Sequence, residues 1–322
     1  MKIQIISTLN SSMNEGVSNV TKHFIENIKP DNEIRICSLK KSIFCLKSIS
    51  KSDCVLVFSK LNQKAYKLLK FLTLFNKKIF LMVLQPCESG FSILYNKRPL
   101  SCYFFYLSKN DLNLINGSIS CANSFPFSVG VDFTKFCPVT EEMQIALKEK
   151  YNFSINNKIV LHVGHCTEGR GLLDFLKINN SKWTKLFIDS GMYENERITS
   201  TLKENGVVVI SGYQPNIEEF YQLADLYFFP TADAKFVISQ PLSVIEALAC
   251  GTPVLLNNAF RYLIENGNID KRYIQTFDKE PKVDDSLLDI KKEFKIGLIR
   301  KNSWASVVNA CLLKIKELVY EN

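Results

Sequence analysis

The stretch Phe229-Pro-Thr-Ala-Asp-Ala-Lys-Phe-Val-Ile-Ser-Gln-Pro241-Leu-Ser-Val-Ile-Glu246-Ala-Leu-Ala-Cys-Gly251-Thr-Pro-Val-Leu-Leu-Asn-Asn258 reads as strand, loop, helix and strand in succession. The apolar run ending at Phe228 and Phe229 has the composition of a buried parallel strand, and Pro230 stops it. A helix is predicted to open near Pro241, where a missing N–H costs nothing and φ is already helical. Gly251 closes that helix, and Pro253-Val-Leu-Leu begins the next strand. Four unpaired backbone N–H groups are then expected at the carboxyl edge of the sheet, where α/β proteins bind phosphorylated ligands. Glu246 falls one turn into the helix, within reach of a ligand docked there. Ser243 and Glu246 also fit a capping box, in which the two side chains only satisfy each other's backbone donors.

The rest of the chain sets the context. Its 322 residues are long for one core and suit two α/β domains of roughly 150 residues each. Hydrophobic residues make up 46%, and no apolar run approaches the ~18 residues of a membrane span. The opening Met-Lys-Ile-Gln-Ile-Ile-Ser reads as a short strand, too brief for a signal-peptide core. Ten cysteines are scattered with no Cys-x-x-Cys pair, several inside apolar runs, which favours a reduced, cytoplasmic setting over a disulfide framework. Three histidines without metal-ligand spacing, and no Asp-x-Asp, lead us to expect no metal and no cofactor. The net charge of +8 is uneven: residues 1–139 hold 16 Lys and 2 Arg against 8 acids, whereas residues 140–322 hold 22 basic and 24 acidic side chains. The basic half is expected to face something anionic or simply to stay soluble.

Both halves alternate apolar strands with amphipathic helices. In the first, Ile3–Ser7, Ile34–Cys37, Cys54–Ser59 and Ile79–Leu84 read as strands, and Gly16–Ile28 and Gln63–Phe75 as helices, which implies βαβ units and a parallel sheet. In the second, strands are predicted at Ile159–Val163, Lys185–Asp189, Val207–Ser211, Leu226–Phe229 and Val254–Asn257, with helices from about Gly171, Tyr193, Asn216, Pro241 and Phe260. Residues 279–293 are charged and turn-like, and the amphipathic segment Ser303–Tyr320 reads as a final helix.

Several motifs fall in order along this frame. Gly164-His-Cys-Thr-Glu-Gly-Arg170-Gly171 follows a strand, and an Arg fork beside a helix amino terminus is a good phosphate clamp. Gly16-Val-Ser-Asn-Val follows the first strand, Gly212-Tyr-Gln-Pro precedes the strand that leads into the opening stretch, and Gly130-Val-Asp-Phe-Thr-Lys-Phe-Cys-Pro breaks the rhythm mid-chain. Together with the opening stretch, these resemble the retaining glycosyltransferases of family 4, which have the GT-B fold: two Rossmann-like domains with parallel sheets facing across a cleft. The resemblance implies an N-terminal acceptor-side domain of residues 1–137, with a helix over 303–322 packing back on it. A nucleotide-sugar domain over 138–302 completes the architecture.

The resemblance also implies roles. Arg170, and less directly His165, would hold the donor diphosphate, with Gly164 and Gly171 shaping the loop and Gly16 allowing close approach from the opposite wall. Leu242, Ser243 and Glu246 would bind the donor, Glu246 through the ribose hydroxyls, and Tyr213 and Gln214 would meet the nucleobase. Tyr221 reads as a packing residue and Asp225 as a helix-end group. Arg170, Glu246 and Glu88 are the candidate catalytic residues, and Gln85 is the candidate acceptor-side residue. The pattern breaks in two places: Ile238 stands where relatives carry a first Glu, and Gln85 where they often carry a His. Pro241 also removes one N–H from the donor loop, and Asp233 is a candidate substitute carboxylate.

The implied activity is metal-independent transfer of a sugar from a UDP- or GDP-sugar to a glycan or lipid-linked acceptor. A weakly active or inactive nucleotide- or glycan-binding protein and a sugar-nucleotide epimerase are the alternatives, and no nucleic-acid partner is expected. Lys60, Lys64 and Lys67 share a helical stripe with Leu68, Leu72 and Phe75, which suits either an interfacial helix at the inner membrane face or a crossover helix with its charged side in water.

Overall fold

The computed structural model describes residues 1–7, 16–86, 98–120, 123–178, 183–193, 195–265, 271–289 and 302–320. The chain forms two compact units. The first is Met1–Gly130, Val237–Gln240 and Asn302–Asn322; the second is Val131–Phe236 and Pro241–Lys301.

The first unit holds β1 (Lys2–Ser7), β2 (Glu33–Ser38), β3 (Cys54–Ser59), β4 (Ile79–Val83), β5 (Arg98–Pro99), β6 (Tyr103–Tyr106), β7 (Ile119–Ser120) and β8 (Asn123–Pro126). Six of these make one parallel sheet in the order β2-β1-β3-β4-β6-β8, and β5 pairs with β7. Strands β1, β3 and β4 are buried almost throughout, as strands covered on both faces must be, which is why they read as continuous apolar runs. Helix Gln63–Leu72 starts where the Asn62 side chain accepts from Ala65 N at 2.9 Å, and Lys109–Ser118 starts with a Ser108–Asp111 capping box. Helix Trp304–Tyr320 belongs to this unit: Trp304 stacks on His23 at 5.0 Å between centroids, and Lys78 Nζ donates to Leu318 O at 2.6 Å. A Cβ on Gly130 would lie 2.5 Å from the Trp304 Cα, so only glycine fits there.

The second unit holds β9 (Lys158–Gly164), β10 (Trp183–Asp189), β11 (Val208–Ser211), β12 (Leu226–Phe229), β13 (Val254–Asn257) and β14 (Ile274–Phe277). They form a parallel sheet in the order β11-β10-β9-β12-β13-β14, the doubly wound order whose direction reverses between β9 and β12. Ligands of such sheets sit outside the carboxyl ends of the two strands at the reversal. Here those ends lead into residues 164–171 and 230–241.

Two sequence expectations are corrected. No α-helix opens at Gly171: Glu168–Arg170 and Leu172–Lys177 are 3₁₀ turns, separated by Gly171 at φ +67°, a left-handed residue that interrupts helix propagation. Within 279–293, Asp285–Asp289 is a short helix that buries Leu287 in the core rather than an open loop. The two compact units adjoin in sequence at Gly130 and Val131, and four residues of the opening stretch, Val237–Gln240, belong to the first unit. Strands β6, β8 and β14 and helices Lys109–Ser118 and Glu141–Lys150 went unread in the sequence.

Candidate functional site in the second unit

The site is built from two loops that lean on each other at the β9–β12 reversal. Gly171 lies under the Pro230 carbonyl, with its absent Cβ 2.7 Å from that oxygen, and Gly169 lies under the Phe236 ring, with its absent Cβ 2.2 Å away. Thr231 Oγ1 donates to Arg170 O at 3.4 Å. An alanine at 171 therefore meets backbone that cannot swing aside, on top of a backbone conformation L side chains rarely adopt. We expect Gly171→Ala to lower unfolding free energy by about 1–3 kcal/mol in urea titration. Gly212→Ala, at φ +99° with nothing within 4 Å of the new Cβ, isolates the backbone term and should cost less. Equal losses at both positions would show that the loop contact adds nothing.

Arg170 stands over Gly164, its Nη1 3.7 Å from where a Gly164 Cβ would sit. Burial pushes the guanidinium down to about 10, so it stays charged at neutral pH. It has no carboxylate partner among the described residues; the groups that act on its charge are the Tyr227 and Tyr193 hydroxyls. A half-buried guanidinium with no carboxylate partner among the described residues is able to hold an anion. With no helix amino terminus at Gly171, that charge rather than a helix dipole is what this loop offers.

His165 is different from its sequence expectation. Its Nδ1 is 2.6 Å from Ser190 Oγ, its ring meets Tyr193 edge-on, and burial, with Arg170 nearby, pushes it down to about 4. It is neutral at pH 7 and cannot serve as a second cationic clamp. His162, which the sequence reading passed over, lies wholly buried in β9, with Nδ1 2.8 Å from Phe228 O; burial pushes it down to about 3. Nothing in the local sequence distinguishes it from the apolar residues around it.

Helix Leu242–Ala249 supplies the other wall. Pro241 is its N-cap residue, in extended conformation, rather than its first helical residue, and the Pro241 carbonyl accepts from Val244 N and Ile245 N. The free donors at this end are thus those of Leu242 and Ser243, two rather than four. No capping box forms: no side chain caps the helix. Glu246 Oε2 accepts from the Tyr221 hydroxyl at 3.0 Å, and burial pushes Glu246 up to about 7 against the pull of Tyr221 and Lys135. Tyr221 is itself fully buried, its carbonyl accepting from Thr252 Oγ1 at 2.6 Å. Read as a packing residue, it is also the group that fixes the Glu246 carboxylate. The Tyr227 hydroxyl donates to Val163 O at 3.2 Å.

Tyr213 is 55% exposed, an aromatic face open to solvent, while Gln214 turns back to Gly212 O. Asp225 is structural: it accepts from Ile159 N, Gln144 Nε2 and Lys148 Nζ. Asp233 pairs with Lys235.

The remaining candidates lie in the first unit. Gly16 is the first residue of helix Gly16–Glu26, and what its absent Cβ would meet is the Ile238 side chain at 3.3 Å. Ile238 is buried there, because Ser239 N donates to Leu84 O, Ser239 Oγ to Asp111 Oδ1 and Gln240 Nε2 to Leu107 O, at 2.8, 2.9 and 2.8 Å. In place of a sugar-facing carboxylate, this position carries an apolar anchor. Gln85 follows Leu84 just beyond β4; Glu88 lies outside the described residues.

Among the described residues, no group of three or more His, Cys, Asp or Glu side chains is placed to hold a metal ion, and no helix is long and apolar enough to cross a membrane.

Residues 158–283 match the family "Glycosyl transferases group 1". Over 149 residues the chain is 26% identical to alpha-galactosylglucosyldiacylglycerol synthase of Streptococcus pneumoniae, an alignment covering 43% of this chain and 39% of that one. The chain thus spans about two-fifths of the length of that curated relative. Among solved structures it is similar to Anabaena Alr3699/HepE in complex with UDP-glucose, with a TM-score of 0.68 at 13% identity over 100% of this chain and 98% of that one. It is also similar to a glycosyltransferase from Rickettsia africae, with a TM-score of 0.70 at 16% identity over 100% and 99%. The fold is GT-B.

Proposed function

We propose that this protein is a glycosyltransferase that moves a sugar from a UDP-sugar to a glycan or lipid-linked acceptor, without a metal ion and with retention at the anomeric carbon. The observation that carries this reading is the Arg170 guanidinium, without a carboxylate partner among the described residues, on the loop after β9, together with a tyrosine-held Glu246 carboxylate on the helix after β12, the two strands at the reversal of a doubly wound sheet. The matched family over 158–283 supports it, since that span contains both residues. UDP is preferred to GDP because a structural neighbour was solved with UDP-glucose.

In this reading Arg170 and the Leu242 and Ser243 N–H groups hold the diphosphate, Glu246 the ribose hydroxyls, and Tyr213 stacks beside the base. The bond from the anomeric carbon to the diphosphate oxygen breaks, and the bond to the acceptor hydroxyl forms on the same face. The leaving phosphate takes the acceptor's proton, so no separate base is required. Fixed charge at the departing oxygen is the largest catalytic contribution. Gln85 and Glu88 are the acceptor-side candidates, and the neutral His165 orients the loop through Ser190.

Calorimetric titration with UDP and GDP in EDTA, followed by incubation with UDP-sugars without acceptor, tests this. We expect UDP to bind unaffected by chelation and slow release of free sugar and UDP. Loss of affinity in EDTA restored by Mg²⁺ would overturn the metal-free reading. A changed sugar would identify an epimerase, and UDP binding without any release a binding protein.

A further inference from the structure

We infer that the first unit docks on an anionic lipid bilayer through the face formed by residues 39–52 and 63–78, with Phe44 and Leu74 entering the interface. Residues 34–86 hold ten Lys and one Arg against a single acid, Asp53. Lys41, Lys47, Lys51, Lys64, Lys67, Lys70 and Lys77 are exposed, and none pairs with a carboxylate among the described residues. The one arginine, Arg35, is held by Glu33, and Asp53 accepts from Lys2 N and the Tyr320 hydroxyl. The same face carries the two most exposed large apolar side chains among the described residues, Phe44 at 87% and Leu74 at 74%.

Topology puts these groups together. The steps from β2 to β3 and from β3 to β4 run in one direction across the sheet, so right-handed crossovers place both connections on one face. Leu39, Leu46, Ile49, Leu69 and Leu72 share one core beneath them. Asn76 Nδ2 donates to Ile49 O and Ser52 O, at 3.1 and 2.8 Å, which stitches the turn after helix Gln63–Leu72 to the end of helix Leu46–Ser50. This differs from a membrane-facing stripe on helix Gln63–Leu72: Leu72 is in the core and Leu68 packs against it, so that helix presents only its lysines. The apolar tips come instead from Phe44, just before helix Leu46–Ser50, and Leu74, in the turn.

Lysines surrounding isolated, protruding Phe and Leu side chains fit a headgroup layer, where flexible cations meet phosphate and apolar tips reach acyl chains. A nucleic acid would call for a groove with stacking aromatics and free arginines, which this face does not present among the described residues. The inference stands apart from the donor chemistry of the second unit.

The test is flotation of the full chain with phosphatidylcholine vesicles, with and without 30% phosphatidylglycerol, at low and high salt. We expect flotation only with the anionic vesicles, lost in high salt. A Phe44→Ser/Leu74→Ser variant and a Lys47→Gln/Lys51→Gln/Lys70→Gln/Lys77→Gln variant should each lower partitioning at least tenfold, with UDP binding unchanged. Phe44→Trp fluorescence should be quenched by brominated lipid chains, which a loose electrostatic contact would not produce. The proposal fails if the wild type does not float or if Phe44→Trp is not quenched. UDP binding lost together with flotation would point to misfolding, and a Lys271→Gln/Lys282→Gln variant that weakens flotation equally would show the face to be unspecific.

Discussion

Arg170→Ala is expected to lower kcat/KM for the donor by roughly 30- to 1,000-fold, about 2–4 kcal/mol of transition-state stabilisation. In the proposed reaction negative charge grows on the departing diphosphate as the sugar leaves, and Arg170, which has no carboxylate partner among the described residues, is the cation offered to it. The loss should fall mainly on kcat. Arg170→Lys should recover part of it, since a point charge replaces the planar fork. The guanidinium has no structural ion pair among the described residues, so its removal should leave the melting temperature nearly unchanged. A variant with wild-type kcat and a raised KM would move Arg170 into ground-state binding; wild-type values of both would remove it from the site.

Glu246→Gln is expected to act in opposite directions on stability and on binding. Burial raises the Glu246 carboxyl to about 7, well above its ordinary value near 4.5, so the folded state holds the proton more tightly than the unfolded state. Stability from this group is fully present below about pH 4.5 and is lost as pH rises through 7. At pH 8 the ionised carboxylate costs the fold up to about 3 kcal/mol, which Gln avoids while still accepting from Tyr221. Thermal unfolding at pH 4 and pH 8 should show the variant gaining only at pH 8. UDP affinity should meanwhile fall about tenfold, the loss of a charged hydrogen-bond acceptor to ribose. A pH-independent stability difference would sink the titration argument, and unchanged UDP affinity would sink the ribose role.

What the sequence made legible was local. Strands β12 and β13 appear where the apolar runs bounded by Pro230 and Pro253 put them, because a fully buried parallel strand writes its burial into every position. Strand β8, Asn-Ser-Phe-Pro, writes almost none, being half-exposed, and so it went unread. Gly171 signalled a turn but not its left-handed φ, which decides whether a helix follows. Of the candidate site, Arg170 and Glu246 stood out through the motifs that resemble the family's. Their condition did not: the neutrality of His165, the proton affinity of Glu246 and the part played by Tyr221 come from side chains distant in sequence. Ile238 reads as a missing carboxylate until its burial against Gly16 shows it to be an anchor.

The interleaving of the two units along the chain has a consequence for how the protein is made. Synthesis proceeds from the amino terminus, and most proteins complete their leading domain first. Here residues 131–301 can close into the second unit while the first still lacks Val237–Gln240 until midway and helix Trp304–Tyr320 until after residue 301. Until that helix emerges from the ribosome, the surface around His23 that receives Trp304 stays open to water and to chaperones. The half of the molecule translated first is therefore the half that finishes last.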